Sequence, residues 1–254
     1  MLMKANKTIL NLPKHIAIIL DGNRRWAKKN NLPTAFGHKK GLDAAIKIAR
    51  YARKTGIHTL TLWGFSTENW NRSKTEINYL MSLFSNMIDQ YLEEAKKEQV
   101  RIYHLGRKDR LPKKLTAKII QAEKETKKNK QNVLNLAIDY GGQDEILRAM
   151  VKAIADIKAQ KIKLSDLLKP IGKYNQKYAY YLFKNYLDTK DQPYPYPDLI
   201  IRTSGEQRLS GFVLWQSAYS EYYFEPCFLP DYSPALFDQA VLSYSKRKRR
   251  FGGN

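Results

Sequence analysis

The chain has 254 residues, 43% of them hydrophobic, which is enough for one substantial core and makes a single domain over 1–254 the default. Against 24 Asp+Glu stand 45 Lys+Arg, and the net charge of +21 points to an anionic partner: nucleic acid, an anionic membrane surface or phosphorylated substrates. The single cysteine, Cys227, excludes an intramolecular disulfide and a Cys-based zinc site, and no apolar stretch reaches the roughly 20 residues of a membrane span.

The N-terminal extension, residues 1–14, carries Lys4 and Lys7 but no apolar region long enough for a signal peptide. A reducing cytoplasmic location, with membrane contact only peripheral, is therefore expected. The first apolar run, Ile16–Leu20, reads as a buried strand and stops at the turn signal Asp21-Gly22-Asn23. Arg24, Arg25, Trp26 and a Lys-rich stretch that can be helical follow. A carboxylate, a glycine with a free backbone and two guanidiniums suit a metal-bound anion such as a diphosphate. They suit a plain strand-to-helix turn with solvated arginines equally well. Next come a helix over Leu42–Lys54 closed by Gly56, a strand over Thr59–Trp63, and a capping box, Ser73 with Glu76, opening a helix over Lys74–Lys97. Strands at Val100–Leu105 and Val133–Ile138 alternate with helices at Pro112–Lys128 and Asp144–Lys158. Lys161 to Gln192 reads as helical and Tyr-rich, and Pro193 to Pro197 forms a stiff extended approach to the strand Leu199–Ile201. Alternation of this kind predicts an α/β fold, a single domain with a mostly parallel sheet of about six strands flanked by helices.

Parallel sheets bind ligands at the carboxyl ends of their strands. Three such ends carry arginine among small hydrogen-bonding residues: Asp21 to Arg25 with Gly37 and His38 beyond, Ser66 to Arg72, and Arg202 to Ser210. Arg24, Arg25, Arg72, Arg202 and Arg208 together exceed what one phosphate needs and would serve two diphosphates, since guanidinium grips phosphate as a bidentate fork. No G-x-x-x-x-G-K-[ST] loop and no G-x-G-x-x-G is present, which argues against an ordinary nucleotide enzyme. Much of the lysine excess (Lys96-Lys97, Lys113-Lys114, Lys127-Lys128) lies on expected helices as a solvated face. The arginines gather in loops rather than along one helix, so nucleic acid is not the expected partner.

These segments, in this order and spacing, resemble the cis-prenyltransferases: Asp21 to Trp26, Gly37 to Gly41, Phe65 to Arg72, Tyr140 to Gly142, Asp198 to Glu206, Arg208 to Ser210, Leu214 to Gln216, Glu221, and Arg249 to Gly253. The resemblance implies repeated addition of isopentenyl diphosphate to an allylic primer, with farnesyl diphosphate and a second copy of the chain in a homodimer as partners and peripheral membrane contact through the lipid product. It implies that the primer diphosphate lies on the backbone of Gly22, Asn23, Arg24 and Arg25, beside the Arg25 side chain and His38, near Trp26. Isopentenyl diphosphate would be held by Arg202, Arg208 and Ser210 with Arg72 nearby. Asp21 and Glu221 would place Mg²⁺, a single metal, since the Asp-Asp-x-x-Asp cluster of trans-prenyl synthases is missing. Ser66, Thr67, Glu68, Asn69, Trp70 and Glu76 would shape the site, and Asp21, Asn69 with Ser66, or diphosphate itself would take the proton. An apolar tunnel beside the sheet would take the growing chain, with Ile77, Leu80, Met81, Phe84, Met87, Ile88 and Leu92 on one wall and Ala44, Ala45, Ile48 and Tyr51 on the other. The same stripe is also what an ordinary core would show.

Three positions depart from the family pattern: Thr34 where many bacterial relatives have arginine, Gly211 where Asn or Asp is common, and Gln207 where some have histidine. None removes Asp21, Arg25, Arg202, Arg208 or Glu221, so an active enzyme is expected rather than a non-catalytic partner subunit. His15, His58 and His104 read as structural, Cys227 as buried and inert, and Tyr219, Tyr222, Tyr223 and Phe224 as core or a dimer seam. Lys246 to Arg250 reads as a solvated helix end, a lipid contact or part of the site across a dimer.

Overall fold

The computed structural model describes residues 11–168, 170–171 and 180–249. Strand β1 (His15–Ile19) is buried along its whole length, as the unbroken run His-Ile-Ala-Ile-Ile requires of a strand covered on both faces. It lies inside a six-stranded sheet with β2 (Thr59–Ser66), β3 (Val100–Leu105), β4 (Asn132–Tyr140), β7 (Leu199–Arg202) and β8 (Glu221–Phe224), ordered β3-β4-β2-β1-β7-β8. Every pairing in it is parallel. A two-residue antiparallel pair, β5 (Pro170–Ile171) with β6 (Tyr180–Tyr181), stands apart from it.

Six helices are present among the described residues: α1 (Asn23–Lys29), α2 (Thr34–Lys54), α3 (Lys74–Lys97), α4 (Lys113–Glu125), α5 (Gly142–Lys158) and α6 (Pro234–Ser245). Alternate strand residues feed two cores. Ile16, Ile18, Leu60, Leu62 and Ile201 pack with the apolar faces of α2, α3, α4 and α6. Ala17, Ile19, Trp63, Ala137 and Ile200 pack on the other face with Tyr140, Phe212 and Val213. None of these helices is long and apolar enough to cross a membrane.

Chain order and sheet order locate the site. From β1 the chain passes to β2 on one side, whereas β1's other neighbour, β7, passes on to β8 in the opposite direction. The crevice beyond the carboxyl ends of β1 and β7 is therefore the topological switch point, where parallel sheets open to ligands.

The sequence reading differs from the structure in three places. Helix α2 starts at Thr34, eight residues before Leu42, because Gly37 and Gly41 are not breakers but contact points. The described parts of Lys161–Gln192 form short 3₁₀ turns at Leu164–Leu168 and Leu182–Tyr186, not a long helix; 169 and 172–179 lie outside the described residues, as do 1–10 and 250–254. Glu221–Phe224 forms an edge strand, with Tyr222 on it and Tyr219 just before it exposed rather than packed in a core.

Candidate active site

Gly22 makes the turn from β1 into α1. Its φ of 106° is left-handed, and a Cβ there would lie 2.7 Å from the Phe228 ring, so only glycine fits without strain. Helix α1 has no side-chain cap, and its first internal hydrogen bond is Trp26 N–H to the Gly22 carbonyl, 2.8 Å. The N–H groups of Asn23, Arg24 and Arg25 precede that bond and form the opening turn.

Asp21 is pinned from both sides of the switch point. Its Oδ2 accepts from Arg202 Nη2 at 2.8 Å and its Oδ1 from Arg25 Nη2 at 3.1 Å. Its backbone is fixed by Thr203, whose Oγ1 accepts from Asp21 N–H at 3.0 Å and donates to Asp21 O at 2.7 Å. Burial alone would raise the Asp21 carboxyl, but hydrogen bonds from Arg202 and Ser204 and the charges of Arg202 and Arg25 more than offset it, so it titrates below its ordinary value. Arg202 is 5% exposed and donates to Ser210 Oγ at 2.9 Å and to the Arg208 carbonyl, which ties β7 to the following loop. That loop is left-handed at Ser204, Ser210 and Val213 as well as at two glycines, and such conformations in non-glycine residues collect at sites whose surroundings hold them in place.

Two glutamates gather the remaining arginines. Glu206 accepts from Arg25 Nη1 at 2.6 Å and from Arg208 Nη1 at 2.5 Å. Glu76 accepts from Arg72 Nη1 at 3.0 Å, meets His38 Nε2 at 3.0 Å and lies 4.0 Å from Arg24. Burial lowers the His38 imidazole below its usual value, with Glu76 opposing, so the ring is neutral near pH 7. Ser73 Oγ accepts from Glu76 N–H, but the Glu76 carboxylate is spent on these cations, so only half of the expected capping box forms. The reciprocal box occurs one turn earlier, between Ser66 and Asn69, with Ser66 N–H to Asn69 Oδ1 at 3.0 Å.

These groups surround a cavity of about 920 Å³. Its polar rim carries Asp21, Gly22, Asn23, Arg24, Arg25, His38, Ser66, Glu68, Asn69, Arg72, Arg202 and Ser210, and its floor runs over Leu42, Phe65, Leu80, Leu83 and Phe84. A second apolar void of about 20 Å³ follows between α2, α3 and the sheet, bounded by Ala49, Met87, Ile88 and Tyr91. Of the tunnel residues expected on α3, Leu80 and Phe84 reach the main cavity. Ile77, Met81 and Leu92 are packed in the core, as are Ala45 and Ile48 on α2.

Five expected residues stand elsewhere. Trp26 turns outward, stacking on Phe36 and donating to Asp231 at 2.8 Å. Thr67 donates to Glu68 and packs against Gly141 rather than facing the cavity. Trp70 is turned toward Asp139, and Arg208 is held at the rim by Glu206. Of the five, Glu221 lies furthest from the cavity's polar rim within the chain. Its register partner is Leu199, at the start of the parallel strands, while Asp21 follows their opposite ends, and its Oε2 accepts from Arg247 at 2.7 Å. Asp21 and Glu221 do not meet within one chain, and no cluster of three metal-ligating side chains forms among the described residues. Lys28 and Leu83, which also line the cavity, carried no motif signal in the sequence.

The family model described as "Putative undecaprenyl diphosphate synthase" matches residues 19–252. The chain belongs to this prenyltransferase family. It is 44% identical to an isoprenyl transferase of Thermotoga maritima, covering 96% of this chain and 98% of the relative, and 42% identical to one from Streptococcus pyogenes, covering 98% and 97%. Among solved structures it is similar to lavandulyl diphosphate synthase from Lavandula x intermedia in complex with dimethylallyl diphosphate (TM-score 0.87, 36% identity, 95% of this chain and 99% of that one). It is also similar to a probable undecaprenyl diphosphate synthase from Campylobacter jejuni (TM-score 0.72, 31% identity, 96% and 100%). For a prenyltransferase, the juxtaposition of a cationic rim and an apolar floor is the chemistry of an amphiphile with a diphosphate head.

Proposed function

We propose that this prenyltransferase extends an allylic diphosphate, farnesyl diphosphate as first primer, with successive isopentenyl units in cis, giving a long-chain polyprenyl diphosphate such as undecaprenyl diphosphate, a precursor of a glycan carrier lipid. The observation that carries this reading is a cavity of about 920 Å³ with arginines at its rim and an apolar floor. In this reading the primer head lies on the opening turn of α1 with Arg25, Arg24 and His38, and its tail runs along Leu80 and Phe84. Isopentenyl diphosphate lies against Arg202 and Ser210, with Arg208 swinging in from Glu206 and Arg72 nearby.

The bond from the primer's C1 to its diphosphate breaks, C1 bonds to C4 of isopentenyl diphosphate, and a proton leaves C2. Aligned guanidiniums stabilise the charge that grows on the departing diphosphate, in a site that excludes bulk water. Asp21, its carboxyl lowered by Arg202 and Arg25, is a poor proton acceptor, and the neutral hydroxyl and amide of Ser66 and Asn69 are poorer bases still, which favours the departing diphosphate. An ionised carboxylate on the cavity wall with lone pairs beyond those given to arginine fits one hard cation that takes its other ligands from diphosphate and water. Asp21 would hold Mg²⁺ in that way, and the ion when bound would neutralise diphosphate charge.

A homodimer is supported by α5, which leaves Leu147 (63% exposed), Met150, Val151 (68%) and Ile154 in one uncovered stripe. Delivery of the lipid product would bring the enzyme to the cytoplasmic membrane surface as a peripheral protein. Incubation with farnesyl diphosphate, labelled isopentenyl diphosphate and Mg²⁺, with chromatographic sizing, is expected to show metal-dependent growth of a long-chain lipid. Absence of any incorporation would overturn the reading.

A further inference from the structure

Asp139 is a buried carboxylate that the reaction as described does not use. It sits in an irregularity at the end of β4: Phe65 pairs with Ile138 and Ser66 with Tyr140, so Asp139 faces no residue of β2. Its φ of 54° is left-handed, unusual for a non-glycine residue, and the bulge turns its side chain away from the strand's own pairing. The side chain is fully buried, yet every contact it makes is to a donor outside the sheet. Arg110 grips it with both arms of the fork, Nε to Oδ2 at 2.8 Å and Nη2 to Oδ1, and Trp70 donates its indole N–H to Oδ1 at 2.9 Å. Its backbone carbonyl accepts from Arg107 N–H at 3.0 Å.

Trp70 belongs to the short turn Thr67–Asn71 that carries Glu68 and Asn69 into the cavity wall and leads straight into Arg72. The other face of its indole meets Phe65 edge-on at 5.2 Å. Besides the Ser66–Asn69 box and the packing of Thr67 against Gly141, the indole hydrogen bond ties this turn to β4. Arg110 also lies close enough for its charge to lower the Glu68 carboxyl, after burial and the hydrogen bonds from Thr67, its own backbone and Ser66 have acted. Asp139 is fully buried while Arg110 is 39% exposed, and a buried carboxylate costs desolvation that a half-exposed partner only partly offsets, so a geometric role is the better account of the pair.

We propose that Asp139, clamped by Arg110, is a positioning residue that fixes Trp70 and thereby sets Asn69 and Arg72 against the isopentenyl side of the reaction. This rests on the elongation reading above. The primer head, held across the cavity by α1, is outside the reach of the clamp, so the two substrates separate the effects.

The test is a double-mutant cycle on the full-length enzyme with Asp139→Ala, Asp139→Asn, Trp70→Phe and the Asp139→Ala/Trp70→Phe pair. Rates of isopentenyl incorporation at saturating primer, the primer's own dissociation constant and the thermal midpoint are measured for each. Trp70→Phe and Asp139→Ala should each lower kcat/KM for isopentenyl diphosphate by about tenfold, as expected of a displaced reacting group, with primer binding unchanged. The double variant should lose no more than the worse single variant, and Asp139→Asn, which still accepts from the indole, should recover part of the rate. If Asp139→Ala does not fold, Trp70→Phe alone decides, since it leaves the ion pair whole. Additive losses, equal weakening of both substrates, or a folded Trp70→Phe with unchanged kcat/KM would overturn the proposal. An inactive wild type would instead overturn the elongation reading.

Discussion

At the scale of single residues the site is organised around one carboxylate. Asp21 takes a guanidinium from α1 and another from β7, so it is both a piece of chemistry and the fastener between the two strands of the switch point. Asp21→Ala is expected to cut incorporation of isopentenyl diphosphate by at least about 100-fold, a loss typical of removing a preorganised charge-stabilising group. The variant should also unfold at lower denaturant, by about 1–2 kcal/mol, because Arg202 keeps Ser210 and the Arg208 carbonyl but loses its anion. Full turnover in a folded Asp21→Ala protein would remove Asp21 from the site. Much at this scale was legible beforehand: Asp21, Arg25, His38, Arg72, Arg202 and Ser210 stand in motifs after strands, and the fold brings them to one cavity. A motif gives no register: within the chain, the parallel pairing with Leu199 places Glu221 at the far end of the sheet from Asp21. Asp139 and Arg110 were invisible for a related reason: their partnership depends on a bulge, which no spacing rule announces.

Among elements, the contact between α1 and α2 governs the primer side. A Cβ on Gly37 would fall 2.3 Å from the Asn23 carbonyl oxygen, and one on Gly41 would fall 2.0 Å from Asn23 Oδ1. The two glycines form a notch into which the opening turn of α1 is pressed, and backbone cannot yield as a flexible side chain would. Alanine is the better helix former by about 1 kcal/mol, so an exposed Gly→Ala change would stabilise. Here Gly37→Ala is expected to destabilise by about 1–3 kcal/mol through overpacking and to raise KM for the primer, checked by denaturant unfolding and steady-state kinetics. The sequence expectation began this helix only at Leu42, after both glycines. Strands β1 to β4 and β7 were readable as aliphatic runs. The edge strand β8, Glu-Tyr-Tyr-Phe, has no aliphatic residue and needs neither face fully buried, so its pattern carried no signal.

For the whole molecule, two buried histidines contribute to the loss of stability in acid. Burial lowers His15 to about 4 and His104 to about 3, with smaller electrostatic contributions, against 6.5 when unfolded. Depressed values mean that their contribution is complete above pH 6.5 and is lost as pH falls toward the folded values, since the unfolded chain binds the proton first. Between pH 6.5 and pH 5 each should cost roughly 2 kcal/mol of stability. His104→Gln, which can still donate to the Ile138 carbonyl, should flatten that loss in denaturant titrations at the two pH values; an unchanged slope would show that His104 is not responsible. Charge acts over longer range as well. A net +21 steers anions toward the protein at a rate that salt will suppress. Once inside, the proposed diphosphate would meet arginines already neutralised by Glu76 and Glu206. Uptake is then an exchange of counter-ions, as on a charged resin, and its affinity is the difference between two similar pairings. The same carboxylates can take the guanidiniums back when a diphosphate leaves. An enzyme that released one such group at every round of addition, as proposed above, would gain from gripping it no harder than that.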